Sequence, residues 1–223
     1  SPYPSGRSLE ERWCFLSNCL MSVEIDLVET YFESNGFLVR RAGEPHVETR
    51  KKKVSPLPTL AIFNPKRSEN EQDLGFRMFT GDLVNIRSAL VSLLGWSNSS
   101  FANDCMTSDV RLAKFFKSED LLEKLKIGFK PSPLLAESGM GEFLCLLVIP
   151  HFPRNEQKAK LLIDHLQDAG VDGALTLRSI FENLLRKSSP AETFVNQEIF
   201  HTLKLLKAYD LVKEPQLDMF NEK

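Results

Sequence analysis

The sequence predicts an α/β domain in layers, a mixed central sheet with helices packed against it. Three observations predict it. Two apolar runs, 89–94 and 143–149, have the length of strands and are too uniformly apolar to face water on either side. Shorter strand-like runs stand at 37–41, 60–63 and 173–177. Around them lie stretches whose apolar residues recur at helical spacing, and from residue 108 onward helix and strand alternate.

Taken in order, residues 1–21 read as a loose arm and a short helix, with Trp13, Leu16 and Leu20 on one side. Ser22 suits the N-cap of the next helix, 22–35, whose stripe is Ile25, Val28, Tyr31 and Phe32. Gly36 suits the residue that ends it. The first strand, 37–41, leads into a polar excursion over 42–57, and the second, 60–63, is closed by Asn64-Pro65. A polar loop, 66–73, and an ambiguous segment, 74–85, come before the third strand, 88–94. That strand stops at Gly95-Trp96, where glycine allows a sharp turn. Ser108 caps a helix with Val110, Leu112, Ala113 and Phe116, and a second helix over 118–125 begins with acids, as a helix N-terminus favours. The fourth strand, 143–149, ends at Pro150; a helix over 155–169 stops at Gly170; the fifth strand is 173–177. Helices follow at 179–187 and 191–211. Residues 22–212 then form one domain, and 213–223 a tail.

Composition sets limits on function. The chain has 223 residues, enough for one sizeable core, with 42% hydrophobic and 26% charged residues. A net charge of −2 supplies no global positive field, so any grip on nucleic acid must be a local patch. No apolar run reaches the roughly 20 residues of a membrane span, and residues 1–6 lack a basic-then-apolar signal pattern. The expected location is the cytoplasm, with no membrane partner. Cys14, Cys19, Cys105 and Cys145 lack metal or disulfide spacing and read as reduced thiols. His46, His151, His165 and His201 stand apart in sequence, and no metal site is read from them.

The order helix, three strands, helix, strand resembles the restriction-endonuclease-like, or PD-(D/E)xK, nuclease superfamily, whose core runs αβββαβ. Residues 22–177 would cover that core and 178–212 would extend it. Glu24, followed by Gly36-Phe37, looks like the Mrr-like pattern of a first-helix glutamate ahead of a Gly-aromatic pair. The resemblance implies an aspartate on the second strand and Glu-x-Lys on the third. Two carboxylates would hold Mg²⁺ against the scissile phosphate while the lysine orients water. Here Pro58, Thr59 and Leu60 occupy the aspartate's neighbourhood, Ser92 the glutamate's place and Leu94 the lysine's. The pattern implies a nuclease fold with its catalytic set replaced and no resident cofactor. The alternative is an active nuclease with a rearranged site, in which Glu24, Asp82 and Lys66 serve and Mg²⁺ is needed. Against it, the simpler reading makes Glu24 a solvated helix charge and Asp82 a turn residue after Gly81.

Two features suggest partners. Arg50, Lys51, Lys52 and Lys53, with Arg40 and Arg41 nearby in sequence, offer phosphate contacts, and Trp96 offers a stacking face. A solvated charged loop and a core aromatic are the simpler readings of the same residues. In the tail, Gln216, Leu217, Asp218, Met219 and Phe220 resemble the pentapeptide by which bacterial replication and repair proteins dock on the DNA sliding clamp. The resemblance implies that Gln216 enters a polar pocket and Leu217, Met219 and Phe220 apolar ones. The expected function is a catalytically inactive domain that binds nucleic acid or protein, near DNA replication or repair. A pure protein-interaction module, using the apolar residues of 191–211, is the further alternative.

Overall fold

A computed structural model describes residues 23–42, 57–70, 74–117, 119–130, 142–188 and 197–212, with the side chains of 119–121 and 197 left aside. The first helix, α1, covers residues 23–34. Its predicted stripe is buried: Val28, Tyr31 and Phe32 are fully enclosed and Ile25 nearly so. Gly36 ends it at φ +89°, a left-handed conformation that strains any residue with a Cβ. The N–H of Gly36 donates to Glu33 O (2.9 Å) and that of Phe37 to Phe32 O (3.1 Å), which closes the helix as a Schellman motif.

Five strands follow: β1 (Leu38–Arg41), β2 (Thr59–Phe63), β3 (Ser88–Leu93), β4 (Leu144–Ile149) and β5 (Gly173–Thr176). They lie side by side in chain order. β1, β2 and β3 form an antiparallel meander, and β4 and β5 continue parallel to β3. The mixed sheet is therefore as expected, and its parallel half uses the two most apolar strands. The free side of β5 is covered by the segment before β3. Ala174 N–H donates to Phe76 O (2.7 Å) and Met78 N–H to Ala174 O (2.9 Å). Met78 Sδ lies 2.6 Å from where a Cβ of Gly173 would stand, so the close approach needs glycine there.

Helices cover both faces: α2 (Asn103–Thr107), α3 (Asp109–Phe116), α4 (Glu119–Gly128), α5 (Glu156–Asp168), α6 (Leu177–Lys187) and α7 (Gln197–Ala208). Strand side chains alternate between two cores. Leu60, Val91, Leu146 and Leu175 pack with Val28 and Phe32 of α1, Ile180 and Leu184 of α6, and Phe200 of α7. Leu147 and Ala174 pack on the other side with Phe116 of α3, Leu125 of α4, and Leu162 and Leu166 of α5. Burying such side chains on both faces, at about 25 cal/mol per Å² of apolar surface, is what holds the layers together.

The structure corrects some boundaries. α6 begins at Leu177, not residue 179, and β5 ends at Thr176. Thr176 Oγ1 accepts from Ser179 N–H (3.1 Å), so the hydroxyl caps the helix and takes Leu177 out of the strand. The ambiguous segment contains a 3-10 helix, Thr80–Asn85, and α2 was not expected at all. α7 starts at Gln197, and residues 189–196, where the expected helix began, lie outside the described residues. The same holds for the expected helix near 10–20, the Ser22 cap, the basic stretch 50–53 and the tail 213–223. Among the described residues no helix is long and apolar enough to cross a membrane.

Candidate functional site

Of the residues singled out from the nuclease pattern, Thr59, Ser92, Leu94 and Glu24 lie around the start of β2 and the C-terminal end of β3, and Asp82 and Lys66 do not. The antiparallel register sets Thr59 directly opposite Ser92. Both are buried, and their hydroxyl oxygens lie 2.9 Å apart. Thr59 Oγ1 donates to Leu57 O (3.0 Å). Its single proton is thereby used, so Ser92 donates to Thr59. The pair is satisfied without charge and without solvent.

Helix α4 closes over this pair. Gly128, its last residue, is buried, and a Cβ there would stand 2.9 Å from Ser92 Oγ and 3.1 Å from Thr59 Oγ1. Leu94, at the place of the lysine, is 1% exposed and packs with Leu57, Phe101, Leu112 and Leu125. These residues do not fit a divalent cation. Mg²⁺ requires anionic oxygens and room for its waters, whereas two neutral hydroxyls committed to each other lie under helix backbone. Leu94 supplies no positive charge.

Glu24 lies at the same end of β3 but reaches it from the α1 side. Its carboxylate accepts from Trp96 N–H (2.9 Å), Ser97 N–H (3.2 Å) and Ser97 Oγ (2.5 Å). Gly95 makes this docking possible, because a Cβ there would fall 2.7 Å from Glu24 Cδ. The turn is fastened further by Asn98, whose Oδ1 accepts from Gly95 N–H (2.8 Å) and whose Nδ2 donates to Leu93 O (2.7 Å). Glu24 thus fixes the loop after β3. Asp82 serves a different segment: its Oδ2 accepts from Phe79 N–H (2.7 Å) at the start of the 3-10 helix. Lys66 is exposed in the turn after β2, where its N–H donates to Asn64 Oδ1 (3.0 Å). Glu24 and Asp82 are each committed to a separate stretch of backbone. Among the described residues no group of three or more His, Cys, Asp or Glu is placed to hold a metal ion.

The binding candidates separate. Arg41 turns back onto α1, pairing with Asp26 and donating to Glu29 Oε2 from Nε (2.9 Å) and Nη2 (2.6 Å). Arg40 is exposed on the next position of edge strand β1. Trp96 is 40% exposed and meets Phe101 edge to face, with ring centroids 4.8 Å apart. Phe101 is buried and continues the stack to Phe115. Trp96 therefore stands half out of the core on a loop that Glu24 holds.

Sequence reasoning missed Gly128. Nothing in Lys126-Ile-Gly-Phe129 marks that glycine as a seat on the strands. The contact appears only once α4 is laid across β2 and β3. Comparison of the chain with protein-family models, curated proteins and solved structures returns no match in any of the three.

Proposed function

We propose that this chain is a non-catalytic domain of the restriction-endonuclease-like type that works by binding, with nucleic acid as its ligand. The observation that carries the reading is the Thr59–Ser92 hydroxyl pair, set side by side where that pattern would bring two carboxylates together. The succession α1, β1, β2, β3, helices, β4 supports the fold assignment, since it follows αβββαβ with a mixed sheet. Loss of both acids and of the lysine leaves no means to polarise a phosphate or activate water, while the fold keeps its surface. Phosphate contacts would come from Arg40 and from Arg50, Lys51, Lys52 and Lys53, and Trp96 would stack on a base. The tail residues Gln216, Leu217, Asp218, Met219 and Phe220 would bring the domain to a DNA sliding clamp, near replication or repair.

The test is incubation of the purified chain with labelled single- and double-stranded DNA and RNA, with Mg²⁺ or Mn²⁺, beside Glu24→Ala. The expected result is no cleavage, with binding that weakens steeply as salt rises. Cleavage that Glu24→Ala abolishes would overturn this reading in favour of a rearranged nuclease site. Neither cleavage nor binding would move the function to protein partners, and a clamp-binding assay with Gln216→Ala and Phe220→Ala would follow.

A further inference from the structure

We infer that His151 is a proton-held latch: as the imidazolium it ties the loop after β4 to α2, and loss of its second ring proton opens the α2 side. The inference stands apart from the Thr59–Ser92 pair and from whatever the domain binds.

The geometry of the ring carries it. Nδ1 of His151 lies 2.6 Å from Phe152 O, and Nε2 lies 3.2 Å from Cys105 O. Both partners are backbone carbonyls, which accept and cannot donate. A neutral imidazole has one N–H and one ring lone pair, so it satisfies one carbonyl and turns the lone pair on the other. Only the imidazolium, with an N–H at each nitrogen, makes both bonds. One carbonyl belongs to the loop that leaves β4 and the other to α2. A single proton therefore completes a fastening between segments far apart in sequence.

The ring is fixed from its side as well. Buried Phe101 meets it edge to face, with centroids 6.2 Å apart. The charged groups of the surrounding elements are engaged with one another. Asp104 of α2 pairs with Arg111 of α3, and Asp109 of α3 accepts from Arg154 N–H (3.1 Å) and Asn155 N–H (3.0 Å). The Arg154 side chain is exposed. Arg77 lies over the Phe152 ring, 4.9 Å from its centroid, and pairs with Glu156 of α5 (3.3 Å). Among the described residues no carboxylate pairs with His151, so the two carbonyls alone hold its second proton. The bridge is present while both nitrogens are protonated. It is lost as pH rises through the range in which a histidine gives up its proton, about pH 5–8. The shorter contact decides which bond survives. Nδ1 keeps its proton on Phe152 O, and the Nε2 lone pair then faces Cys105 O and frees α2.

The experiment is NMR on the full chain and on His151→Gln, from about pH 5 to 8. Nitrogen–proton correlations of the ring report which nitrogen of His151 carries a proton. Exchange of the Thr107 and Ser108 amides, corrected for the intrinsic rate at each pH, reports the opening of α2. For a latch, the neutral ring keeps its proton at Nδ1. Opening of α2 rises roughly fivefold across the titration, the size of one lost hydrogen bond. His151→Gln has no proton to lose in this range and shows no such rise. A neutral ring protonated at Nε2 would overturn the inference, since the proton would sit on the bond expected to break. Equal rises in both proteins would assign the opening to another group and overturn it too, as would the absence of any rise in wild type. Should His151→Gln fail to fold, wild type decides, because the rise in opening must share the midpoint of the ring's own titration.

Discussion

Glu24 and the Thr59–Ser92 pair lie on opposite sides of β3, and their polar groups are satisfied differently, the carboxylate partly exposed and the hydroxyls buried. Glu24 sets its carboxylate among three donors of the 96–97 loop. Thr59 and Ser92 have no such donors. They face each other under Gly128, and neutrality is what lets them stay dry. The comparison teaches where this sheet accepts an ion: at its end, where loop N–H groups converge, and not under α4.

The strongest way to break that comparison is to put a charge under α4. Ser92→Glu would place a carboxylate against the closed end of α4 with only Thr59 to donate to it. Burying an uncompensated charge typically costs about 3–5 kcal/mol. We expect a loss of that order in urea denaturation at neutral pH, smaller at pH 4, where the added carboxyl takes up a proton. Wild-type stability in Ser92→Glu would mean that water reaches this position and that the two sides of β3 do not differ.

A second pair of variants sharpens the Glu24 side. Glu24→Ala leaves two backbone N–H groups and the Ser97 hydroxyl without their acceptor, a loss of roughly 2 kcal/mol by the usual range for hydrogen bonds to charged groups. Gly95→Ala should cost a similar amount, because its methyl group displaces the same carboxylate. The two changes remove one interaction, so the double variant should be far from additive, with a coupling of about 1–2 kcal/mol. Additive losses in chemical denaturation would show that Gly95 is required for the turn and not for Glu24.

Much of the fold was legible in the residues themselves. The stripe Ile25, Val28, Tyr31, Phe32 has the helical period, the apolar 143–149 run has the length of a strand and ends at a proline, and all five strands fall where such short runs stand. The end of β5 was not legible, because Leu177 continues the apolar pattern and only the Thr176 cap removes it from the strand. At the site, Thr59 and Ser92 could be singled out from the sequence, but their contact could not. Whether two residues 33 apart in sequence touch depends on register, which a turn sets and a strand's composition does not. Glu24 shows the same limit. Its spacing from Gly36 is visible in sequence, yet its partners Trp96 and Ser97 lie 72 and 73 residues away.

The hydroxyl pair offers a smaller test. Ser92→Ala removes the shared hydrogen bond, for a loss of about 1 kcal/mol, and Thr59→Val removes it together with the bond to Leu57 O, for about 2 kcal/mol. The double variant replaces both hydroxyls with apolar groups and should be no worse than Thr59→Val alone, because Leu57 O loses its partner in both and no hydroxyl is left unpaired. A double variant worse than the sum of the singles would mean that the pair supports α4 through something other than mutual satisfaction.

The last test is of pH dependence, and it adds a third kind of site to the comparison: ionisable groups that folding keeps neutral. Tyr31 is enclosed by α1 and the 3-10 helix, and its hydroxyl lies 3.1 Å from Thr80 Oγ1. Burial pushes its pKa from 10.0 up to about 12; Asp82 adds to the rise, against the Thr80 hydrogen bond. The Cys145 thiol is pushed from 9.0 up to about 11, by burial first and then by Asp172. In both cases the folded chain holds its proton to higher pH than the unfolded chain. Stability should therefore be level below pH 9, fall first as Cys145 enters its window, and fall further above pH 10 as Tyr31 does. Tyr31→Phe should be less stable than wild type at pH 8, by about 1 kcal/mol for the lost hydrogen bond. It lacks the upper window, so the difference should shrink as pH rises past 10. Denaturation midpoints from pH 8 to pH 11.5 decide it, with Cys145→Ala separating the lower window. Parallel curves for wild type and Tyr31→Phe above pH 10 would show that Tyr31 ionises as readily folded as unfolded. The α1 side of the sheet would then be wetter than its packing implies.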